Sequence, residues 1–320
     1  MKKDLLTLLD LTKADCDMLF QRAGILKERR RKGIRETLLS GKSLGLIFDK
    51  PSTRTRISFE TAMIQMGGTP IFMSSKDTQI SRNEPVMDTA RVLSRYLDGL
   101  AIRTFSQDIL EGFAAYADIP VINALTDMYH PTQVLSDILT IIEYKGGYEG
   151  VKIAWVGDGN NVSHSWINAA AVLGLNLVLA CPEGYYPSAP ILQRALDMET
   201  GNIRVTSNPV EAVDQADVIY TDVWASMGQE SEHIARKNIF KAYQVNRELM
   251  QHARRDAIVM HCLPAHRGEE ISEELMDVPL PVIWDQSENK MHMNKAILEA
   301  LMAGSASGKR QEGEQPCLML

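Results

Sequence analysis

Short apolar runs alternate with longer amphipathic stretches along most of the chain. The runs at 44–48, 70–73, 99–103 and 120–122 read as strands. Stretches with helical spacing lie between them, at 85–96 and 106–117. Leu, Met and Ile also recur at helical spacing over 5–32, ahead of the first strand. Such alternation predicts parallel strands joined by crossover helices. A long amphipathic helix is expected over 131–144, and Gly146, Gly147 and Gly150 after it read as a hinge. A second alternation begins at 151–157, with further strands expected at 176–180, 204–206, 218–220, 257–261 and 282–284. A last helix is expected over 289–302. The predicted fold is therefore α/β, with two doubly wound parallel-sheet domains of similar size linked by helices. The first would span 1–145, completed by the C-terminal helix 289–303, and the second 146–288. The polar, Gly/Ser-rich stretch 304–320 is expected to be a disordered tail.

Bulk properties narrow the class. A chain of 320 residues is long enough for two such domains. A net charge of -7 gives no general attraction for nucleic acid, so any anion site must be a local basic pocket. Cys16, Cys181, Cys262 and Cys317 are far apart and lack paired spacing, which fits a reducing cytoplasm rather than a disulfide framework. No apolar run is long enough to span a membrane, and the first residues lack the apolar core of a signal peptide. The closing Cys317-Leu318-Met319-Leu320 mimics a prenylation box, but nothing else in the chain points to a membrane.

The densest chemistry follows the first strand. Ser52-Thr53-Arg54-Thr55-Arg56 packs three hydroxyls and two guanidiniums into an expected helix N-terminus. Such a terminus carries unpaired N–H groups and positive potential, and arginine grips phosphate in a fork. A capped helix with solvated arginines is the bland alternative; the strand ahead and Arg56 favour an oxyanion or phosphate site. Ligands in these folds sit beyond the carboxyl ends of the strands. Arg103 ends an apolar strand there and is a candidate second guanidinium. His130-Pro131-Thr132-Gln133 opens a helix at another strand end, where His130 is a donor for an oxyanion and Gln133 suits an amide-like group. In the second half, Gly157-Asp158-Gly159-Asn160-Asn161 imitates a dinucleotide turn, but Val162 replaces the third glycine and no acidic ribose partner follows. Asn160 and Asn161 suit a small polar substrate instead. Asp222 ends a strand as an anion fit for an ammonium group. His261, Cys262 and His266 lack the second paired cluster of a zinc site, so no metal is expected.

Together these segments resemble the aspartate/ornithine carbamoyltransferase family. The likeness runs in order and spacing over about residues 1–304, through Ser52–Arg56, His130–Gln133, Gly157–Asn161, Asp222-Val223-Trp224-Ala225-Ser226-Met227-Gly228 and His261-Cys262-Leu263-Pro264. The last two point to the ornithine branch. The resemblance implies carbamoyl phosphate and L-ornithine as substrates, no cofactor, and a homotrimer. Ser52, Thr53, Arg54, Thr55 and Arg103 would hold the phosphate, and His130 and Gln133 the carbamoyl group. Gln79 would reach this ligand from across a subunit boundary. Asn161, Asp222, Ser226 and Met227 would hold ornithine, and Cys262 and Leu263 would line the reaction centre. The catalytic set would be Cys262, Arg103, His130, Thr55 and Asp222. One position departs from the family: Lys290 stands where an arginine reaches carbamoyl phosphate. Lysine keeps the charge and loses the fork, so weaker or altered carbamoyl phosphate binding is expected. Asn83 stands where glycine is frequent, in a loop at 81–85. A carbamoyltransferase for putrescine or an N-acylated ornithine is the alternative within the class. An NAD-dependent oxidoreductase would rest only on Gly157-Asp158-Gly159, and a catalytically dead homologue only on Lys290.

Overall fold

A computed structural model describes residues 3–74, 84–225, 233–277 and 282–303. The first half carries β1 (Ser43–Phe48), β2 (Thr69–Ser74), β3 (Gly99–Arg103) and β4 (Val121–Leu125). They form one parallel sheet in the order β2-β1-β3-β4. The second half carries β5 (Lys152–Val156), β6 (Asn176–Ala180), β7 (Asn202–Thr206), β8 (Val218–Thr221) and β9 (Ile258–His261). These are also parallel, in the order β7-β6-β5-β8-β9. The expected pair of doubly wound sheets is thus present. In each sheet the strand order reverses once, between β1 and β3 and between β5 and β8. A crevice opens at such a reversal, because successive crossovers leave to opposite sides.

Helices cover both sheets. α1 (Lys13–Arg31), α2 (Thr53–Gln65), α3 (Val86–Tyr96), α4 (Gln107–Tyr116) and α5 (Pro131–Lys145) belong to the first half. α6 (Asn161–Leu173), α7 (Ala189–Leu196), α8 (Pro209–Val213), α9 (His233–Phe240), α10 (Arg247–Met250) and α11 (Glu273–Met276) belong to the second. α5 ends at Gly146, whose φ of 79° is a left-handed C-cap. Trp155 and Tyr220 stack in the second sheet's core with ring centroids 5.3 Å apart, and Trp166 of α6 meets Tyr220 edge-on.

Three expectations are corrected. The apolar pattern over 5–32 is not one helix. A short 3-10 turn, Leu8–Asp10, precedes α1, and Leu5 bridges to Ile122 beside β4. Thr7 and Thr12 each form a capping box, so each restarts the chain instead of continuing a helix. The run 282–284 is not a strand but the first turn of α12 (Val282–Leu298). A short apolar run cannot be told from the start of a buried helix by its pattern. The strand expected at 120–122 is also longer, reaching Leu125. The stretch 304–320, expected to be a tail, lies outside the described residues.

α12 packs against α1, α2 and α5 of the first half and also touches β9 of the second. Polar bonds fix its register. Lys27 of α1, 3% exposed, donates to both carboxylate oxygens of Glu143 on α5 at 2.7 and 2.8 Å and to Oδ1 of Asn289 on α12 at 2.7 Å. Asn289 Nδ2 donates to Glu143 at 2.7 Å and to Thr140 at 3.0 Å. Asn294 Nδ2 donates to Ser58 Oγ on α2 at 2.9 Å. A buried ammonium stranded without its carboxylate is costly. Glu143→Ala is therefore expected to destabilise the protein by about 2 kcal/mol, because Glu143 is partly exposed and water offsets some of the loss. A lower thermal midpoint would show it; an unchanged one would mean the triad is not holding the helices.

Candidate active site

The loops after β1, β3, β4, β5, β8 and β9 converge on one cleft of about 800 Å³. Both strand-order reversals open into it. From the first half it is lined by Lys50, Ser52, Thr53, Arg54, Thr55, Arg103, His130, Gln133 and, on α12, Lys290. From the second come Asn160, Asn161, Asp222, Cys262 and Leu263. Gln79, Ser226 and Met227 lie outside the described residues, as do Asn83 and the rest of 75–83.

Ser52 is the N-cap of α2, and its hydroxyl accepts from the Thr55 N–H at 3.2 Å. That cap turns Thr53, Arg54 and Thr55 into the first helical turn, with their N–H groups facing the cleft end of the helix. Arg56 does not join them. It bonds Glu60 at 2.8 Å and lies over the Phe72 ring at 3.5 Å, on the far side of the turn. One residue of helix rotates its side chain by about 100°, too far to share the site. Lys50, which pattern reading passed over, takes its place at the cleft. It is 5% exposed, pairs with Asp127 and sits 4.1 Å from the Phe105 ring centroid. Its position two residues before Ser52 was the available signal.

The cationic wall is crowded. Burial, and then the neighbouring Arg54, lower the Arg103 pKa to about 10. Burial and then Arg103 bring Lys290 down to about 7. Lys290 Nζ donates to Gln133 Oε1 at 2.7 Å and lies 3.3 Å from His130 Nε2. Burial, Lys290 and Arg103 hold His130 well below the usual imidazole range, so it is neutral. When Lys290 is charged its ammonium only donates, so in that state His130 Nε2 accepts and the ring proton sits on Nδ1. The His130 backbone N–H donates to Ser165 Oγ of α6 at 2.8 Å, one tie between the halves. Asn161 supplies another, donating from Nδ2 to the Thr126 carbonyl at 2.6 Å.

The facing wall is anionic. Asp222 Oδ2 accepts from Asn160 Nδ2 at 2.7 Å, and Oδ1 accepts from the Val223 N–H at 2.8 Å and the Cys262 thiol at 2.9 Å. Burial and then Asp222 push the Cys262 pKa well above the usual thiol range. Cys262 is accordingly a protonated S–H donor in this state. Leu263 holds φ +60°, and its N–H donates to His261 Nδ1 at 2.8 Å. The ligand atoms of Asp222, His261 and Cys262 lie within 4.8 Å of one another. His261 is already engaged by Leu263 and Glu270, however, and Cys262 by Asp222, so a metal would have to displace those bonds. Asp158 adds a carboxylate beside Asp222 but is paired at 3.0 Å with Arg236 of α9, a partner that no local pattern announces.

The glycines of the imitation dinucleotide turn have another use. A Cβ on Gly159 would come within 2.3 Å of the Pro187 backbone nitrogen and 2.4 Å of the Tyr186 carbonyl carbon. The space a pyrophosphate would need is taken by the chain itself.

Residues 3–143 match the family model for the carbamoyl-P binding domain of aspartate/ornithine carbamoyltransferases. Residues 149–301 match the model for the Asp/Orn binding domain. The chain belongs to the aspartate/ornithine carbamoyltransferase family. It is 57% identical over 302 residues to the ornithine carbamoyltransferase of Syntrophus aciditrophicus, covering 94% of this chain and 100% of that one. Among solved structures, ornithine carbamoyltransferase from Pyrococcus furiosus superposes with a TM-score of 0.89 at 47% identity, covering 94% and 97% of the two chains. The anabolic ornithine carbamoyltransferase of Campylobacter jejuni gives 0.89 at 40%, covering 94% and 99%.

Asp222→Asn leaves the burial that mainly raises the Cys262 pKa and removes the charge that adds to it. Each unit by which that pKa falls gives about tenfold more thiolate. Alkylation of the Cys262 peptide by iodoacetamide, followed by mass spectrometry at pH 8, should be slow in the parent chain and several-fold faster in the variant. Equal rates would mean that Asp222 does not govern the thiol.

Proposed function

We infer that this chain transfers the carbamoyl group of carbamoyl phosphate to the side-chain amine of L-ornithine, giving L-citrulline and phosphate. The observation that carries this reading is a cleft with two opposed walls. One gathers Arg54, Arg103, Lys290 and the α2 N-terminus; the other presents Asp222, braced by Asn160 and Cys262. A dianionic acyl donor suits the first wall, and an amino acid with a free α-ammonium suits the second. An N-acylated ornithine would leave Asp222 without a cation.

In this reading Ser52, Thr53, Arg54, Thr55 and Arg103 hold the phosphate, aided by Lys290 and by Gln79. His130, Gln133, Cys262 and Leu263 surround the carbamoyl group. Asn161, Asp222, Ser226 and Met227 hold ornithine. The neutral side-chain amine attacks the carbonyl carbon, a tetrahedral intermediate forms, and its C–O bond to phosphate breaks. Holding both substrates in attack geometry supplies roughly 7–11 kcal/mol. Thr55 and Arg103 stabilise the oxyanion. His130 joins them only in its other tautomer, once the substrate draws Lys290 toward the phosphate. Because the Cys262 thiol is protonated, the departing phosphate is the better acceptor for the amine proton.

Further parts of the reading rest on kinship. We propose a first domain of 1–145 completed by residues 289–303, which hold most of α12 and the turn after it, a second of 146–288, and a homotrimer in which Gln79 serves a neighbouring subunit. An arginine-biosynthetic role in the cytoplasm fits the relative named anabolic. Among the described residues no helix is long and apolar enough to cross a membrane.

A citrulline-type colour assay with carbamoyl phosphate and a panel of amines tests the reaction: L-ornithine should be preferred, and preference for putrescine or N-acetylornithine would replace this reading. Lys290→Arg should lower the KM for carbamoyl phosphate, since the fork is restored. With a Lys290 pKa of about 7, the charged, anion-binding form is present below that pH and lost above it. Affinity for phosphonoacetamide, measured by calorimetry, should therefore weaken as pH rises through about 7 in the parent chain and stay flatter in Lys290→Arg. Identical profiles would remove Lys290 from the anion site.

A further inference from the structure

Beneath the cleft floor, Asp137 of α5 is fully buried and outside the substrate space. It receives three donors. Oδ1 accepts from Gln133 Nε2 and from Gln286 Nε2, both at 2.8 Å, and Oδ2 accepts from Tyr220 Oη at 2.7 Å. Gln286 lies on α12 and Tyr220 on β8, so the carboxylate joins the two halves. Burial raises its pKa to about 6, against the lowering effect of these three bonds and of Lys290. It is thus ionised and acceptor-only near neutral pH. The other ionisable groups acting on this region are Cys262 beyond β9 and Asp222 beyond β8.

The polarity of this network follows from its ends. Gln286 Oε1 accepts the His261 backbone N–H at 3.0 Å, and a backbone N–H cannot accept. The NH2 of Gln286 must therefore face Asp137. The carboxylate offers only lone pairs, so the NH2 of Gln133 must face it too. The oxygen of Gln133 is then left pointing into the cleft, where Lys290 now donates to it. An amide free to turn over would present an oxygen or an NH2 to the cleft equally well. Only the oxygen accepts from a carbamoyl NH2.

We propose that Asp137 is a positioning residue: it fixes the Gln133 side-chain amide so that its oxygen faces the carbamoyl NH2 of the substrate. Because the carboxylate only accepts, Asp137 itself sets the polarity of Gln133, and the donors from β8 and α12 keep the carboxylate in place beneath it. Gln286 and Tyr220 hold Asp137; Asp137 holds Gln133. This rests on the carbamoyl-transfer reading above.

The test is a kinetic double-mutant cycle between Asp137 and Gln133, with carbamoyl phosphate KM, ornithine KM, kcat and thermal midpoint read for each variant. Asp137→Ala leaves a polar space for water, which donates as readily as it accepts and so selects neither amide orientation. It should raise the carbamoyl phosphate KM about tenfold or more, with the ornithine KM moving less than threefold. Asp137→Asn keeps one acceptor oxygen and should raise it about threefold. In a Gln133→Leu background neither change should raise it by more than about half again. Equal effects in both backgrounds, or a fall in kcat and thermal midpoint with carbamoyl phosphate KM unmoved, would overturn the proposal and leave Asp137 a structural residue. If the alanine variant does not fold, the asparagine cycle decides by the same criterion. Failure of the parent chain to make citrulline would instead count against the carbamoyl-transfer reading.

Discussion

Like charge gathered in one place is the constraint on which the rest of the molecule depends. Arg54, Arg103 and Lys290 face one another at the end of the first sheet. Burial first and neighbouring cations second push Arg103 and Lys290 toward their neutral forms, with Arg54 acting on Arg103 and Arg103 on Lys290. An anion bound among them relieves their repulsion. The site is therefore built around a charge it does not itself supply, and the surrounding structure must hold the cations together until that charge arrives.

The holding is done by elements distant in sequence. α2 is fixed by its Ser52 cap and by Asn294 on α12. α12 is fixed in turn through Asn289 to Lys27 and Glu143. Because α12 comes from the end of the chain and carries both Gln286 and Lys290, it brings a cation to the first half while bonding the end of β9 in the second. Ser165 and Asn161 add direct bonds from α6 to the loop after β4. The cationic and anionic walls are thereby kept at a defined separation, and two substrates held on them can meet.

Much of this was legible beforehand, and the limits are instructive. The strand and helix alternation was plain, because parallel strands buried on both faces read as continuous apolar runs. The run 282–284 misled for a related reason: Val282 and Ile283 are apolar because they are buried in the first turn of α12, while Trp284 is half exposed. The Ser52 turn was legible because capping is local chemistry within four residues. Arg56 belonged to the same motif and was lost from the site by the rotation of one helical residue. Gly159 looked like part of a ligand turn, yet its missing side chain serves a contact with 185–187.

What the sequence determined by itself is the pair of parallel sheets, the loops at their carboxyl ends and the capped turn at Ser52. Each depends on periodicity or on neighbours a few positions apart, and both are written along the chain. Only the tertiary structure decided which polar groups share a space. Lys290 reaches His130 and Gln133 across about 160 residues, and Asp137 meets Tyr220 and Gln286 across 83 and 149. It also decided their protonation, since burial and the summed field of distant charges set the states of Arg103, His130, Cys262 and Lys290. Those sums run over space rather than along the chain, so no local pattern carries them.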